Sequence, residues 1–151
     1  MLIAMTLESV DSLFRNAHAV PQDKIGWTAG EGMRSVLDIC QECAQSPGFA
    51  AQLLNTRKVE FDESTWEEMD AIAKAWTTIA KCEEVCRERI AEFIEAVNAF
   101  PEADLEQTLF LPFTGKDHPY WDIMGYPHWN NTWHCGQIAF IQKMLGDHEM
   151  H

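Results

Sequence analysis

Basic residues are scarce in this chain of 151: 11 Lys and Arg stand against 24 Asp and Glu, a formal net charge of −13 at pH 7. Such a surface repels phosphate backbones and anionic lipids, so neither nucleic acid nor a membrane is an expected partner. Long hydrophobic runs are missing as well; none approaches the ~20 residues needed to cross a bilayer. The first ten residues carry Glu8 and have neither the basic stretch nor the small-residue cleavage site of an export signal, which points to the cytoplasm. Glycine (8) and proline (6) are too few for a collagen-like or low-complexity chain. The cysteines are odd in number, 5, so free thiols are expected rather than a disulfide framework. With 46% hydrophobic and 23% charged residues, the chain has the make-up of a single globular domain spanning 1–151.

Strict apolar–polar alternation is rare too, whereas apolar residues recur at helical spacing nearly everywhere, so the fold class is all-α. A first helix is predicted from Leu2 to about Ala17, burying Ile3, Leu7, Val10, Phe14 and Ala17. Pro21, Gly26, Gly30 and Gly32 mark a loop, and Ser35 with Asp38 resembles a capping box that starts a second helix. Val36, Leu37, Ile39, Cys40, Cys43 and Ala44 supply its buried side, Pro47-Gly48 interrupts it, and a further turn or two runs to Asn55. Ser64 with Glu67, and Thr65 with Glu68, signal a third and longest helix that runs to about Ala99 before Pro101. Its stripe Met69, Ile72, Trp76, Ile79, Cys86, Ile90, Phe93 is the seam of a bundle helix, with charged Glu83 set into it. Leu105 to Phe113 reads as a short extended segment and Thr114 to Pro119 as a turn-rich connection. A fourth helix follows from about Tyr120 to Leu145, capped by Gly146, with Gly125 and Pro127 predicting a kink or a late start. Four helices in so short a chain make a four-helix bundle.

On the fourth helix Asn130, His134, Gln137, Ile141 and Leu145 share one side, because their spacings follow the helix period. The first half of that row is polar on a face a bundle buries, so its members either meet water in a cleft or bind something. Asn130 and His134 stand one turn apart, the separation at which two side chains reach one metal ion. Another helix must add an acid or an imidazole to complete a site, and Glu42 and Glu83 are the candidates.

Two segments carry a family resemblance: Gly26-Trp27-Thr28-Ala29-Gly30-Glu31-Gly32 leading to Arg34-Ser35, and Trp133-His134-Cys135-Gly136-Gln137-Ile138 ending in Leu145-Gly146. With the helix order and lengths, they resemble the DinB-like family of bacterial four-helix-bundle proteins over nearly the whole chain. The resemblance implies up-down-down-up connectivity, a homodimer, and a divalent metal held by three histidines, one late in the second helix and two from a His-x-x-x-His in the fourth. Family members include thiol S-transferases and a protein regarded as a metal-dependent hydrolase. Carried over by position, the second histidine of the pair is His134, the first falls on Asn130, and the remaining one falls on or next to Glu42. A Glu42, Asn130 and His134 set is oxygen-rich, so among Ni, Mn, Fe and Zn it favours Mn, Fe(II) or Ni over tight zinc binding. The function this implies is a metal-dependent enzyme acting on a small-molecule substrate. In it Glu42 and His134 coordinate the ion, and Asn130 is a weak ligand or a hydrogen-bond donor to substrate. The alternative is a non-catalytic bundle that has lost the metal site and binds a small ligand or a protein partner.

Other constellations have plainer explanations. Cys40-x-x-Cys43 and Cys82-x-x-x-Cys86 put two thiols on a face of each of two helices, conceivable as a four-thiolate cluster but more simply small core residues. Trp27, Trp66, Trp76, Trp121, Trp129 and Trp133 serve core packing and a dimer seam, or, with Tyr126, wall a substrate pocket. His18, His118 and His128 read as capping or exposed imidazoles, and His151 lies on a tail that frays unless it folds back.

Overall fold

A computed structural model describes residues 1–60 and 63–151. The chain is mostly helical: α1 (Leu2–Ala19), α2 (Val36–Thr56), α3 (Glu63–Lys74), α4 (Ile79–Ala99), a single 3-10 turn (Glu102–Asp104), β1 (Thr108–Leu111), β2 (Lys116–Pro119) and α5 (Tyr120–Met144). The four long helices close a ring, since α1 packs on α5, α5 on α2, α2 on α4 and α4 on α1, while α3 lies against α2.

The capping box forms as the sequence predicts. Ser35 Oγ accepts from the Asp38 amide at 3.2 Å and Asp38 Oδ2 accepts from the Ser35 amide at 2.9 Å. The preceding loop is pinned to this start: Ile25 is buried, and its carbonyl accepts from the Leu37 amide at 2.9 Å. At the far end of α5 the amide of Asp147 reaches the Gln142 carbonyl and that of Gly146 reaches the Lys143 carbonyl. Gly146 sits at φ 92, the left-handed conformation that this helix ending requires.

Four elements depart from expectation. The predicted third helix is two, α3 and α4, broken at 75–78. Thr78 Oγ1 accepts from the Lys81 amide at 3.2 Å and so starts a new helix, and Gln41 Nε2 holds the Trp76 carbonyl at 2.9 Å. The break turns the stripe, so that Ala73, Trp76 and Ile79 are buried and Ile72 is exposed. α2, in contrast, runs unbroken through Pro47. Proline removes the amide that would serve the Cys43 carbonyl, and the Cys86 thiol of α4 donates to that carbonyl at 3.6 Å instead. A Cβ on Gly48 would come within 3.0 Å of Arg89 Cδ, so this glycine leaves room for the Arg89 side chain to lie along α2. α5 likewise starts at Tyr120 and passes Pro127 without a late start. The extended segment, finally, is half of a hairpin. β1 pairs antiparallel with β2, with Leu111 opposite Lys116 and Gly115 turning the loop at φ 68. No side chain caps α5; its first two amides donate to the carbonyls of Gln107 and Leu105, so the chain around the hairpin seats the helix.

Apolar packing falls into two clusters. One joins Val10, Leu13 and Phe14 of α1 to Ile39, Cys40 and Cys43 of α2, Cys82, Cys86 and Ile90 of α4, and Ile138 and Ile141 of α5. The other joins Ala50, Leu53 and Leu54 of α2 to Phe93, Leu111, Tyr120, Ile123 and Met124. Between them along each of three helices lie buried polar groups: Thr6 and Ser9 on α1, Ser46 on α2, and Asn130, Asn131 and His134 on α5. Asn131 Nδ2 donates to Ser9 Oγ at 3.3 Å. This polar belt is where α2 and α5 face each other, and it sets the position of the candidate site.

Candidate functional site

α2 and α5 bring Glu42 and His134 into contact, with Glu42 Oε1 lying 2.9 Å from His134 Nε2. Gln137, one turn further along α5, turns its Oε1 to His134 Nδ1 at 2.7 Å, so each ring nitrogen faces a side-chain oxygen. The second carboxylate oxygen of Glu42 pairs with the Arg34 guanidinium, whose other nitrogen donates to the Asp38 carbonyl at 2.8 Å. The result is one chain of polar contacts, Arg34 to Glu42 to His134 to Gln137, running from the mouth of the loop into the helix contact. His134 is nearly buried, its side chain 8% exposed, whereas that of Glu42 is 43% exposed and opens outward.

Burial works to raise the Glu42 carboxyl, but the hydrogen bond from His134 and the charge of Arg34 outweigh it and hold the group below its ordinary 4.5. A carboxylate depressed in the folded state contributes stability above its unfolded value and loses it as pH falls through the folded one. The difference in unfolding free energy between the parent and Glu42→Gln is therefore expected to be constant above about pH 5 and to shrink steadily below it. Urea titrations at several pH values read this directly, and a difference independent of pH contradicts the pairing.

Asn130 lies one turn before His134, buried, with its Nδ2 directed to Cys43 Sγ at 3.7 Å. The three sequence-predicted residues thus gather at one helix contact, but they are not equivalent, because the amide of Asn130 is engaged with a thiol next to Glu42 rather than with Glu42 or His134. Glu83 is elsewhere. It pairs with His18 at 2.7 Å and with Arg87 at 2.7 Å on the surface between α1 and α4. His151 does fold back, onto Asp147 at 2.8 Å and with its carbonyl on Asn16, far from a ligand role at Glu42. The two cysteine pairs do share a core, yet their thiols donate to carbonyls, Cys86 to Cys43 and Cys82 to Trp76, and burial pushes Cys82 up to about 11 and Cys86 up to about 12. They are protonated packing groups rather than thiolate ligands.

A metal ion fits this arrangement poorly. The spacing of Glu42 and His134 suits two adjacent ligands of one ion, which for bonds of about 2.1 Å stand ~3 Å apart. The third residue and the charge do not: Asn130 directs its Nδ2 to Cys43 Sγ rather than joining Glu42 and His134. Arg34 also sets a permanent positive charge on the other oxygen of the same carboxylate, close to where an ion would sit.

Beside Glu42 lies a cleft of about 550 Å3 between α2, α3 and the start of α5. Its apolar wall is aromatic: Phe49 meets Trp66 at 5.8 Å and Phe113 at 5.7 Å between ring centroids, and Tyr126 closes the α5 side. Ser46 also lines it, buried, with a sealed hydroxyl that has no hydrogen-bond partner among the described residues. Arg34, Ser46 and Phe49 escape a reading of the sequence because none belongs to the polar row on the last helix; only Trp66, one of six tryptophans, and Tyr126 stand out beforehand, as possible pocket walls. Trp121, Trp129 and Trp133 prove to be surface residues, 52%, 55% and 59% exposed, so core packing does not account for them.

In sequence comparisons no family model matches the chain, and no curated protein matches it. No helix among the described residues is long and apolar enough to cross a membrane.

Proposed function

We propose that this chain is a DinB-like bundle, of up-down-down-up connectivity, that binds a small, largely apolar molecule in the cleft beside Glu42 and does so without a resident metal ion. The observation that carries the proposal is the aromatic cleft, whose open end holds the Glu42 carboxylate. Phe49, Trp66, Phe113 and Tyr126 offer flat apolar contact, and Glu42, oriented by Arg34 and His134, accepts a hydrogen bond from the polar end of the guest. A homodimer belongs to the same proposal. It is supported by the row Tyr126, Trp129, Trp133 and Phe140 exposed along α5, in which Trp129 and Trp133 stack at 5.8 Å.

The test is a set of aromatic amines and alcohols added to isotope-labelled protein. Amide shifts are expected to concentrate around Ser46, Phe49, Trp66 and Tyr126, and Phe49→Ala is expected to weaken binding by about tenfold. Elemental analysis of protein purified without a chelating tag is the second arm. Shifts scattered over the surface, or about one equivalent of a transition metal lost in His134→Ala, overturn the proposal, and the latter restores the metal-dependent enzyme.

A further inference from the structure

A second polar constellation lies at the other end of the aromatic wall, where the hairpin loop meets the first turn of α5. Thr114 Oγ1 stands 2.8 Å from His118 Nε2, and His118 Nδ1 stands 2.6 Å from Asp122 Oδ2. The three residues are four apart in sequence, yet they come from three different pieces of structure: the loop after β1, the body of β2 and the second residue pair of α5. All three line a pocket of about 360 Å3 whose floor is Leu53, Leu111 and Ile123 and whose rim carries Trp129.

We propose that Thr114, His118 and Asp122 form a hydroxyl–imidazole–carboxylate relay that hydrolyses esters of small apolar acids. The carboxylate of Asp122 offers only acceptor oxygens, so Nδ1 of His118 must carry a proton to face it, which leaves Nε2 of the neutral ring as the acceptor. The Thr114 hydroxyl then donates to Nε2. Its competitor, the Leu111 carbonyl at 3.0 Å, already accepts from the backbone amides of Thr114 and Gly115, each at 3.0 Å. Nucleophile, base and orienting acid are thus within hydrogen-bond reach in the required order. The imidazole is about one quarter exposed and Thr114 is exposed, so an ester can approach while its acyl chain enters the apolar pocket.

In the first half-reaction Oγ1 bonds to the carbonyl carbon, and its proton passes to Nε2. The bond from that carbon to the alcohol oxygen then breaks, and the proton leaves on the alcohol. In the second, water adds to the acyl-threonine carbon and gives a proton to Nε2. The bond to Oγ1 breaks, Oγ1 regains the proton, and the carboxylic acid departs. Nothing is oxidised or reduced. Thr114 and His118 are the catalytic residues, and Asp122 is a positioning residue that acts through the ring.

The experiment uses the full chain with p-nitrophenyl butyrate, followed by a fluorophosphonate probe and peptide mapping. Saturable hydrolysis is expected, falling at least about tenfold in Thr114→Val and in His118→Ala and retained in Thr114→Ser. In Asp122→Asn kcat is expected to fall with KM unchanged, a split that a merely structural loss would not give. The probe is expected on Thr114. Hydrolysis at the parent rate in Thr114→Val overturns the proposal, even where His118→Ala is inactive, because the ring itself is then the nucleophile. Labelling at another residue, or no labelling of well-folded parent and Thr114→Ser protein, overturns it equally. The outcome is independent of the Glu42 cleft, whose ligand is read by shifts at Ser46.

Discussion

Phe93→Ala is expected to lower the unfolding free energy by about 3–5 kcal/mol, a large part of what a domain of this size possesses. Phe93 has no exposed surface. It is packed in a cluster with α2 (Ala50, Leu53), the hairpin (Leu111) and the start of α5 (Tyr120, Ile123), four separate pieces of backbone counting its own. The walls of the hole left by a removed ring therefore belong to elements that are fixed elsewhere and do not collapse together, which places the cost high in the range for such truncations. The cluster also supports the floor of the pocket at Leu53, Leu111 and Ile123, so the loss extends to the hairpin. Urea unfolding with an unchanged dependence on denaturant and a midpoint shifted well downward is the expected result. A loss under about 1 kcal/mol would show that the hairpin repacks freely against α4.

The second large effect concerns cation affinity. Arg34→Ala is expected to raise the affinity of the protein for nickel at least about tenfold, equivalent to ~1.4 kcal/mol. In the parent the guanidinium occupies one oxygen of Glu42 and repels any dication that approaches the other. Both side chains are about two-fifths exposed, so solvent screens the repulsion and the gain is a fraction of the unscreened Coulomb value. With Arg34 removed, Glu42 Oε2 is released and His134 Nε2 remains 2.9 Å from Oε1, two donors poised for one ion. Calorimetric titration of parent, Arg34→Ala and the double variant with His134→Ala gives the answer. Equal nickel affinity in parent and single variant means that Arg34 is not what keeps ions away.

Helix content, the capping box at Ser35 and the glycine stop at Gly146 could be read from residue types alone, because each depends on chemistry within one turn of chain. The same locality misleads at Pro47 and at Thr77-Thr78. Proline reads as an interruption, but a thiol from α4, 39 residues further along the chain, serves the carbonyl it strands. The seam through Met69, Ile72 and Trp76 reads as one helix, but Thr78 caps a new start and Trp76 is anchored by Gln41 across from α2. That Asn130 and His134 face the α2–α5 contact was legible from the polar row on the last helix, whereas Glu42 entered as one of two candidate acids, beside Glu83, and was placed with them by the family resemblance. The role of Arg34 was not, since a loop residue before a helix gives no periodic signal of where its long side chain will lie. The same holds for Thr114 and Asp122, which flank His118 at intervals of four in a segment that is not one helix.

Four sulfhydryls, Cys40, Cys43, Cys82 and Cys86, sit completely sealed in the middle of the ring of helices, while Cys135 is partly open to solvent. A thiol-reactive dye should therefore modify one position at once and the remaining four only when α2 and α4 part, since Cys86 must first release the Cys43 carbonyl. The molecule carries its own stopwatch for breathing, and the interval between the first and later dye additions times the opening of its interior.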